Sequence, residues 1–265
     1  MGVPKLVILP CHAIWKGGAS LGQNREEWHL VNFQIEGYDH LAFRDHIERS
    51  LNYLNGDPET FLVISGGQTK IESGPVSESL SYYQLAEKLV LEDAKHRDKH
   101  HLLSRITTEE FSRDSFENVL FSICRYYEVH GSYPAEIVVI GFEFKRERFL
   151  KYHLEKALRF PTSRVAYIGN APDPKDLAEL ERKAYFEDLE KSEYNFAVKF
   201  FKDDWYGVRN PLAKKKSGRN PFNRYHGYGI SNPELAEFLN AIRDGGEVKE
   251  NEYIQSLLKN LPWVG

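Results

Sequence analysis

The chain has 265 residues, of which 41% are hydrophobic and 28% are charged, and its formal net charge is −4. This length and apolar content can bury the core of one α/β domain. So small a net charge excludes a global electrostatic attraction to nucleic acid or to anionic lipid. Cys11 lies at a predicted strand end and Cys124 inside an apolar helical pattern, which favours buried thiols in a reducing compartment. The apolar run from Leu6 to Leu9 is too short for a signal peptide or a membrane span, so we expect a cytoplasmic protein.

Short β-branched runs alternate with helical patterns along the first two thirds of the sequence. This alternation is typical of parallel strands joined by crossover helices. The runs are almost continuously apolar, which indicates burial on both faces of the sheet. We therefore predict a Rossmann-like three-layer α/β sandwich with a mainly parallel five-stranded sheet. The five predicted strands are Lys5–Leu9, Thr60–Ile64, Leu103–Thr107, Glu136–Ile140 and Arg164–Ile168.

The chain is predicted to form a single domain, with an α/β core over residues 1–170 and a helical extension over 171–265. Within the extension, residues 206–231 form a basic, aromatic segment in which Lys214, Lys215, Lys216, Arg219 and Arg224 alternate with Phe222, Tyr225 and Tyr228. The short basic run and the acidic chain favour a solvated, mobile loop over a nucleic-acid site. A further interpretation is that residues 223–228, including His226, fold over the strand ends as a lid.

Polar residues follow the first two predicted strands, where ligands bind in parallel α/β sheets. His12 follows the first strand and is either a catalytic base or a donor to a backbone carbonyl. Ser65, Gly66 and Gly67 follow the second strand. The two glycines form either an ordinary turn or a close backbone approach to a ligand, beside free N–H groups at the next helix start. No G-x-G-x-x-G or P-loop pattern accompanies them, which argues against NAD and against ATP of the Walker type.

The segment after the third strand crowds carboxylates and hydroxyls at a helix start. Asp114 and Glu117 have the spacing of a capping box, so a structural role is favoured for Glu117. Glu109 and Asn118 lack that explanation and are candidate ligand contacts. The same segment contributes the candidate contacts Ser112 and Ser115.

Two basic residues, Lys145 and Arg148, follow the fourth strand at a helix start. Positive charge is unfavourable there unless an anion offsets it. The alternative is a surface ion pair with Glu143 or Glu147.

The sequence lacks the common catalytic and zinc signatures. The absence of H-E-x-x-H and C-x-x-C patterns argues against zinc, and the absence of G-x-S-x-G argues against an acyl hydrolase. Glu78, Glu109 and Asp114 would be the oxygen ligands if these three carboxylates converged on Mg²⁺.

Several blocks, in order, resemble the YdcF/SanA/ElyC-like proteins, known as domain of unknown function 218. The resemblance runs from about Lys5 to Ile168. It rests on Ile64-Ser65-Gly66-Gly67, Ser77-Glu78, the Glu109-x-x-Ser112-x-x-Ser115-x-Glu117-Asn118 block, and Phe144-Lys145-Arg146-Glu147-Arg148. Ser115 stands where the family usually has Thr, and Lys145 replaces its His. His12 and the tail through His226 look like a eukaryotic, fungal branch.

The resemblance implies a Rossmann-like fold with a polar site at the strand ends and leaves the reaction open. It suggests S-adenosylmethionine or a nucleotide as ligand. The acidic residues Glu78, Glu109, Asp114 and Glu117 would form an acid-rich rim of the site, which a phosphate ligand could approach only together with Mg²⁺. The leading hypothesis is a cytosolic transferase or hydrolase in which His12 and Glu109 are catalytic. Its ligand contacts would be Ser65, Gly66, Gly67, Glu78, Ser112, Asp114, Ser115, Asn118, Lys145 and Arg148. The alternative is a non-catalytic metabolite sensor or protein-interaction module.

Overall fold

The computed structural model describes residues 4–93 and 98–264. Its central sheet has five strands, all parallel, in the spatial order β5-β4-β1-β6-β7. A separate antiparallel pair is formed by two short strands, β2 and β3. The strands are β1 (Lys5–Pro10), β2 (Ile14–Trp15), β3 (Trp28–His29), β4 (Thr60–Ser65), β5 (Ile106–Glu109), β6 (Glu136–Phe142) and β7 (Val165–Asn170).

Helices flank the sheet and build the extension. The α-helices are α1 (Asn32–Glu36), α2 (Asp39–Gly56), α3 (Glu78–Glu92), α4 (Lys99–Leu103), α5 (Ser115–His130), α6 (Glu179–Glu193), α7 (Lys199–Phe201), α8 (Leu212–Gly218), α9 (Tyr228–Ser231), α10 (Ala236–Ala241) and α11 (Glu252–Lys259). Two segments, Arg148–Ala157 and Tyr194–Val198, are wound as π-helices. None of the helices in the described part of the chain combines the length and apolarity needed to cross a membrane.

The α/β class and the parallel five-stranded sheet predicted from the sequence are confirmed. The third strand starts later than predicted, at Ile106, because Leu102 and Leu103 belong to the end of α4. The predicted fourth strand is β6, which ends at Phe142 and not at Ile140.

The strand order reverses at β1, which has β4 on one side and β6 on the other. In open α/β sheets such a reversal makes the connections on either side of it diverge to opposite faces. The divergence leaves a crevice beyond the carboxyl ends of the two central strands, and ligands bind there. We call this crevice between the ends of β1 and β6 the switch point. The fold places the residues that follow β1 and β6 there.

Alternate residues of each central strand enter two hydrophobic clusters, one on each face of the sheet. On β1, Leu6 and Ile8 face one cluster, whereas Val7 and Leu9 face the other. The first cluster also contains α5 and many apolar residues of the extension, among them Phe201, Tyr206, Phe238, Ile254 and Trp263. The extension therefore shares its core with the α5 side of the sheet.

The basic segment 206–231 is not a fully solvated loop, because Lys216 is buried whereas Lys214, Arg219 and Tyr225 are exposed. The side chain of Lys216 is only 2% exposed, and its Nζ lies 3.4 Å from Glu117 Oε1 and 3.2 Å from Asp244 Oδ1. Arg224 donates to the Glu110 carbonyl at 3.2 Å and covers the ring of Phe111. Lys216, Arg224 and Tyr228 therefore attach the segment to α5 and to the β5–α5 connection.

Residues 223–228, interpreted above as a lid over the strand ends, lie against one edge of the sheet. The His226 ring packs on Phe121 with the ring centroids 4.5 Å apart, and the Tyr228 hydroxyl donates to Glu109 Oε1 at 3.3 Å. This segment therefore reaches the end of β5.

Candidate functional site

Glu109 lies at the end of β5 in a closed hydrogen-bond network with three other predicted site residues. Its Oε2 accepts from Ser65 Oγ at 2.7 Å, and Asn118 Nδ2 donates to Ser65 O at 3.1 Å, to Ser65 Oγ at 2.9 Å and to Ser112 Oγ at 2.8 Å. All four residues are buried. Burial raises the pKa of Glu109, while the bonds from Ser65 and the Phe111 amide oppose that rise. The network ties β4, β5 and α5 together and uses its own donors and acceptors, so it favours a positioning role.

Gly66 and Gly67 allow backbone segments of the protein itself to approach each other. A Cβ on Gly66 would lie 2.8 Å from Cys11 Cβ, and one on Gly67 would lie 2.6 Å from the Ser112 carbonyl oxygen. Neither glycine has a positive φ. The carbonyls of Gly67 and Gly66 accept from the amides of Glu78 and Ser79 at 3.0 and 3.2 Å. The sequence suggested free amides at the start of α3, but those of Glu78 and Ser79 are occupied by these two bonds.

His12 follows β1 at the switch point and is enclosed by aromatic rings. Its ring stacks on Phe142 with centroids 5.3 Å apart and lies edge-on to His46 at 5.9 Å. Its Nε2 is buried without a hydrogen-bond partner. Burial, followed by the charge of Lys145, lowers the pKa of His12 well below its usual range. The shift favours the neutral imidazole of His12.

Lys145 follows β6 and meets His12 across the switch point, with its Nζ 3.4 Å from His12 Nδ1. The same nitrogen lies 5.0 Å from the ring centre of Phe142 and 5.5 Å from that of Phe144. Burial, followed by the positive charge of Arg148, lowers the pKa of Lys145 to about 7. The amine is therefore partly uncharged at neutral pH.

Lys145 differs from its basic neighbours in having no carboxylate partner among the described residues. Glu143 and Glu147, the partners considered from the sequence, are taken by Arg146 and Lys151. Arg148 pairs instead with Glu193 at the end of α6, where the two side chains are 12% and 9% exposed. The pairs and their separations are Arg146–Glu143 at 2.5 Å, Lys151–Glu147 at 2.9 Å and Arg148–Glu193 at 2.9 Å.

Arg219, at the end of α8, adds a positive charge to the same space. Its Nη1 donates to the Arg113 carbonyl at 3.0 Å, and the residue is exposed. Its charge reaches both His12 and Lys145, whose pKa values are lowered first by burial and then by several positive charges, among them this one. The basic segment of the extension therefore adds positive charge near the switch point.

Burial raises the pKa of two carboxyl groups near this space, Glu78 and Asp114. Burial raises the pKa of Glu78, against a hydrogen bond from Thr69 Oγ1. Burial, followed by the charge of Glu117, raises the pKa of Asp114 to about 6. In residues 4–93 and 98–264, no three His, Cys, Asp or Glu side chains are grouped so as to hold a metal ion. The convergence of Glu78, Glu109 and Asp114 on Mg²⁺ is therefore not observed.

Asp114 and Ser115 serve the start of α5. Asp114 Oδ1 caps the helix by accepting from the Glu117 amide at 2.8 Å, and Glu117 Oε2 reaches back to the Arg113 amide at 2.8 Å. Asp114 Oδ2 is buried without a partner. Ser115 Oγ lies 2.7 Å from Nε2 of His153, a buried residue in the π-helical segment that follows β6. Ser115 therefore joins α5 to that segment.

Sequence reasoning missed Asp39 and Glu193 as members of the site. Asp39, the first residue of α2, is 5% exposed, and burial raises its pKa to about 7 against the charge of Lys145. Glu193 acts through Arg148 and through its charge on Lys145. Both lie on helices whose placement over the strand ends depends on tertiary packing, so no local pattern marked them.

Comparison with known proteins gives one relative. The chain is 37% identical to the uncharacterized protein YOR238W of Saccharomyces cerevisiae over an alignment 299 positions long, which covers 98% of this chain and 97% of the yeast protein. No family model matches the sequence, and no solved structure matches it. At this identity and with nearly complete coverage of both chains, the protein belongs to the same family as YOR238W of S. cerevisiae.

Proposed function

We propose that the protein binds a small anionic ligand, of the oxo-acid or nucleotide class, at the switch point between β1 and β6, and acts on it as an enzyme. The observation that carries this proposal is the amine of Lys145, which lies beside His12 without a carboxylate partner in the described structure. A desolvated amine near two guanidinium groups is stabilised in its charged form by a bound anion. Arg219 supplies a second, exposed cation for the same ligand.

The charges around the switch point favour an anion over a sulfonium ligand. Two carboxylates of the acid-rich rim expected from the sequence are already engaged, because Glu109 accepts within its network and Arg113 binds Glu117 through Nη2 at 2.6 Å. The cations Lys145 and Arg219 remain without carboxylate partners in the described residues. A phosphate or carboxylate ligand therefore does not need a divalent ion to screen it here.

The wider family and the cellular setting are part of the same proposal. We propose that the chain is a distant YdcF/SanA/ElyC-like protein, since the Ser65-Gly66-Gly67 block and the Glu109 to Asn118 block meet in one network.

A reducing cytoplasm is supported by Cys11 and Cys124, which are free and buried. The net charge of −4 and the packing of the basic segment argue against a nucleic-acid partner.

A thermal-shift series tests the binding proposal with sulfate, pyruvate, AMP and S-adenosylmethionine, the last two also with Mg²⁺. At about a hundred times its dissociation constant a ligand adds about 2.7 kcal/mol, which raises Tm by roughly 5–10 °C for a chain of this size. We expect an anion to give this rise and Lys145→Met and Arg219→Met to remove it. Lys214→Met, which changes an exposed lysine of the same basic segment, should leave it intact.

The pH dependence sharpens this test. Sulfate keeps its charge between pH 6 and pH 8.5, so its affinity should rise as the pH falls through about 7 and Lys145 gains its proton. Stabilisation by S-adenosylmethionine alone, or an anion effect that survives both substitutions, would refute the anion site. Binding without any turnover of the ligand would support the metabolite-sensor alternative.

A further inference from the structure

The two nitrogen bases at the switch point share a contact that an anion site does not require. Lys145 Nζ lies 3.4 Å from His12 Nδ1, and both residues belong to the connections that follow the two central strands. A simple anion site places charged ammonium or guanidinium groups together. Here one member is an imidazole packed between aromatic rings, so the pair can hold one proton between two neutral bases.

The surroundings of Lys145 match those of amines that act as nucleophiles. Such lysines are desolvated or lie next to another cation, since both conditions favour the uncharged amine. The Lys145 nitrogen lies against Phe142 and Phe144. Burial and the charge of Arg148 lower its pKa, the charges of Glu193 and Asp39 oppose that shift, and Arg219 adds a smaller lowering effect. A structural lysine would instead pair with a carboxylate, as Lys151 does with Glu147 on the same segment.

We propose that Lys145 forms an imine with the carbonyl carbon of a small oxo acid, with His12 as the group that moves the proton. The proposal rests on the anion site described above and names its substrate class. The exposed guanidinium of Arg219 provides the positive charge for the carboxylate of the oxo acid. The carbonyl group of the same molecule then faces the Lys145 amine.

The reaction balances without an oxidant or a further reactant. The Nζ lone pair attacks the carbonyl carbon, and the C=O bond pair moves to the oxygen. His12 Nδ1 takes one proton from Nζ and gives it to this oxygen, which yields a neutral carbinolamine. His12 Nδ1 then takes the second Nζ proton and gives it to the hydroxyl group, which departs as water while the C=N bond forms. The sum is amine plus carbonyl giving imine plus water.

Reductive trapping tests this inference on the full chain. The purified protein is incubated with pyruvate, glyoxylate or 2-oxoglutarate and sodium cyanoborohydride at pH 7, and intact mass and peptide mapping follow the adduct. We expect one adduct, equal to the oxo acid less water plus two hydrogens, at Lys145. About half of this amine is uncharged, against about one part in a thousand for an ordinary lysine, so the adduct should form roughly five hundredfold faster than adducts at exposed lysines.

Matched variants separate the chemistry from folding. Lys145→Arg keeps a cation and Lys145→Met keeps the chain length, and both should abolish the fast adduct while retaining the circular dichroism of the parent protein. Lys214→Met should trap at the parental rate, and His12→Phe should slow trapping at least about tenfold, as loss of a general base does.

The outcomes distinguish this inference from the proposed function. Adducts distributed evenly over exposed lysines, or trapping that persists in Lys145→Arg, would overturn the imine. If sulfate still stabilises the protein in that case, the anion site survives and only the chemistry is wrong. If neither sulfate binding nor trapping depends on Lys145, both proposals fail.

Discussion

Replacing Lys216 with Met is expected to lower the free energy of unfolding by about 1–3 kcal/mol, because it removes a buried ammonium and leaves Glu117 and Asp244 with Arg113 as their remaining cation. Lys216 Nζ lies between Glu117 and Asp244 and donates to the Tyr206 carbonyl at 3.2 Å. Methionine fills nearly the same volume, so lost charge rather than a cavity causes the effect. Urea denaturation at pH 8 measures it.

The control and the pH dependence distinguish this buried ammonium from an ordinary surface charge. Lys214→Met, on the exposed side of α8, should change stability by less than about 0.5 kcal/mol. Asp114, whose pKa burial already raises to about 6, loses the opposing charge of Lys216 in the variant. Its folded-state pKa then rises further above the unfolded value, so the loss in Lys216→Met should be larger at pH 8 than at pH 5. A loss below about 1 kcal/mol at pH 8 would contradict the buried network.

Asn118→Ala is expected to cost about 2–4 kcal/mol of stability, because it removes a buried amide whose Nδ2 donates to three acceptors. Two of them are on Ser65 and one is on Ser112. The matched control is Asn52→Ala on the exposed face of α2, which should change the free energy of unfolding by less than about 0.5 kcal/mol. Urea denaturation curves of both variants give the comparison.

The same variant separates a positioning network from a ligand contact. At a temperature where Asn118→Ala remains folded, its sulfate affinity should stay within about threefold of the parent, because the network lies beside the Lys145 site rather than in it. A stable Asn118→Ala protein with strongly weakened sulfate binding would contradict the positioning role and restore Asn118 as a ligand contact.

The sequence was sufficient to predict the sheet and to place His12 and Lys145 after two of its strands, but not to predict that they meet. The runs in β1, β4 and β6 are apolar on both faces, which marks buried parallel strands without further information. Once strands are ordered by crossover connections, His12 and Lys145 must both lie near the strand ends. Their contact still depended on the reversal of strand order at β1, which local patterns do not encode.

The extension shows what local patterns could not predict. Lysine is almost never fully buried unless it is paired, and the carboxylates that pair with Lys216 lie on α5 and after α10, far from it along the chain. The same holds for Glu193, which meets Arg148 only because α6 returns over the strand ends. Similarly, Ser65, Ser112 and Asn118 suggested a ligand site by composition, whereas their mutual distances show a closed network.

The titration of the Lys145 amine tests the switch-point site most directly. Reductive methylation with ¹³C-formaldehyde labels the lysines for NMR, and the signal absent from Lys145→Arg identifies Lys145. We predict a midpoint near pH 7 that moves upward when sulfate is added, because a bound anion favours the ammonium form. If every lysine signal instead titrates at about 10 and ignores sulfate, Lys145 is an ordinary surface lysine and the site at β1 and β6 is refuted.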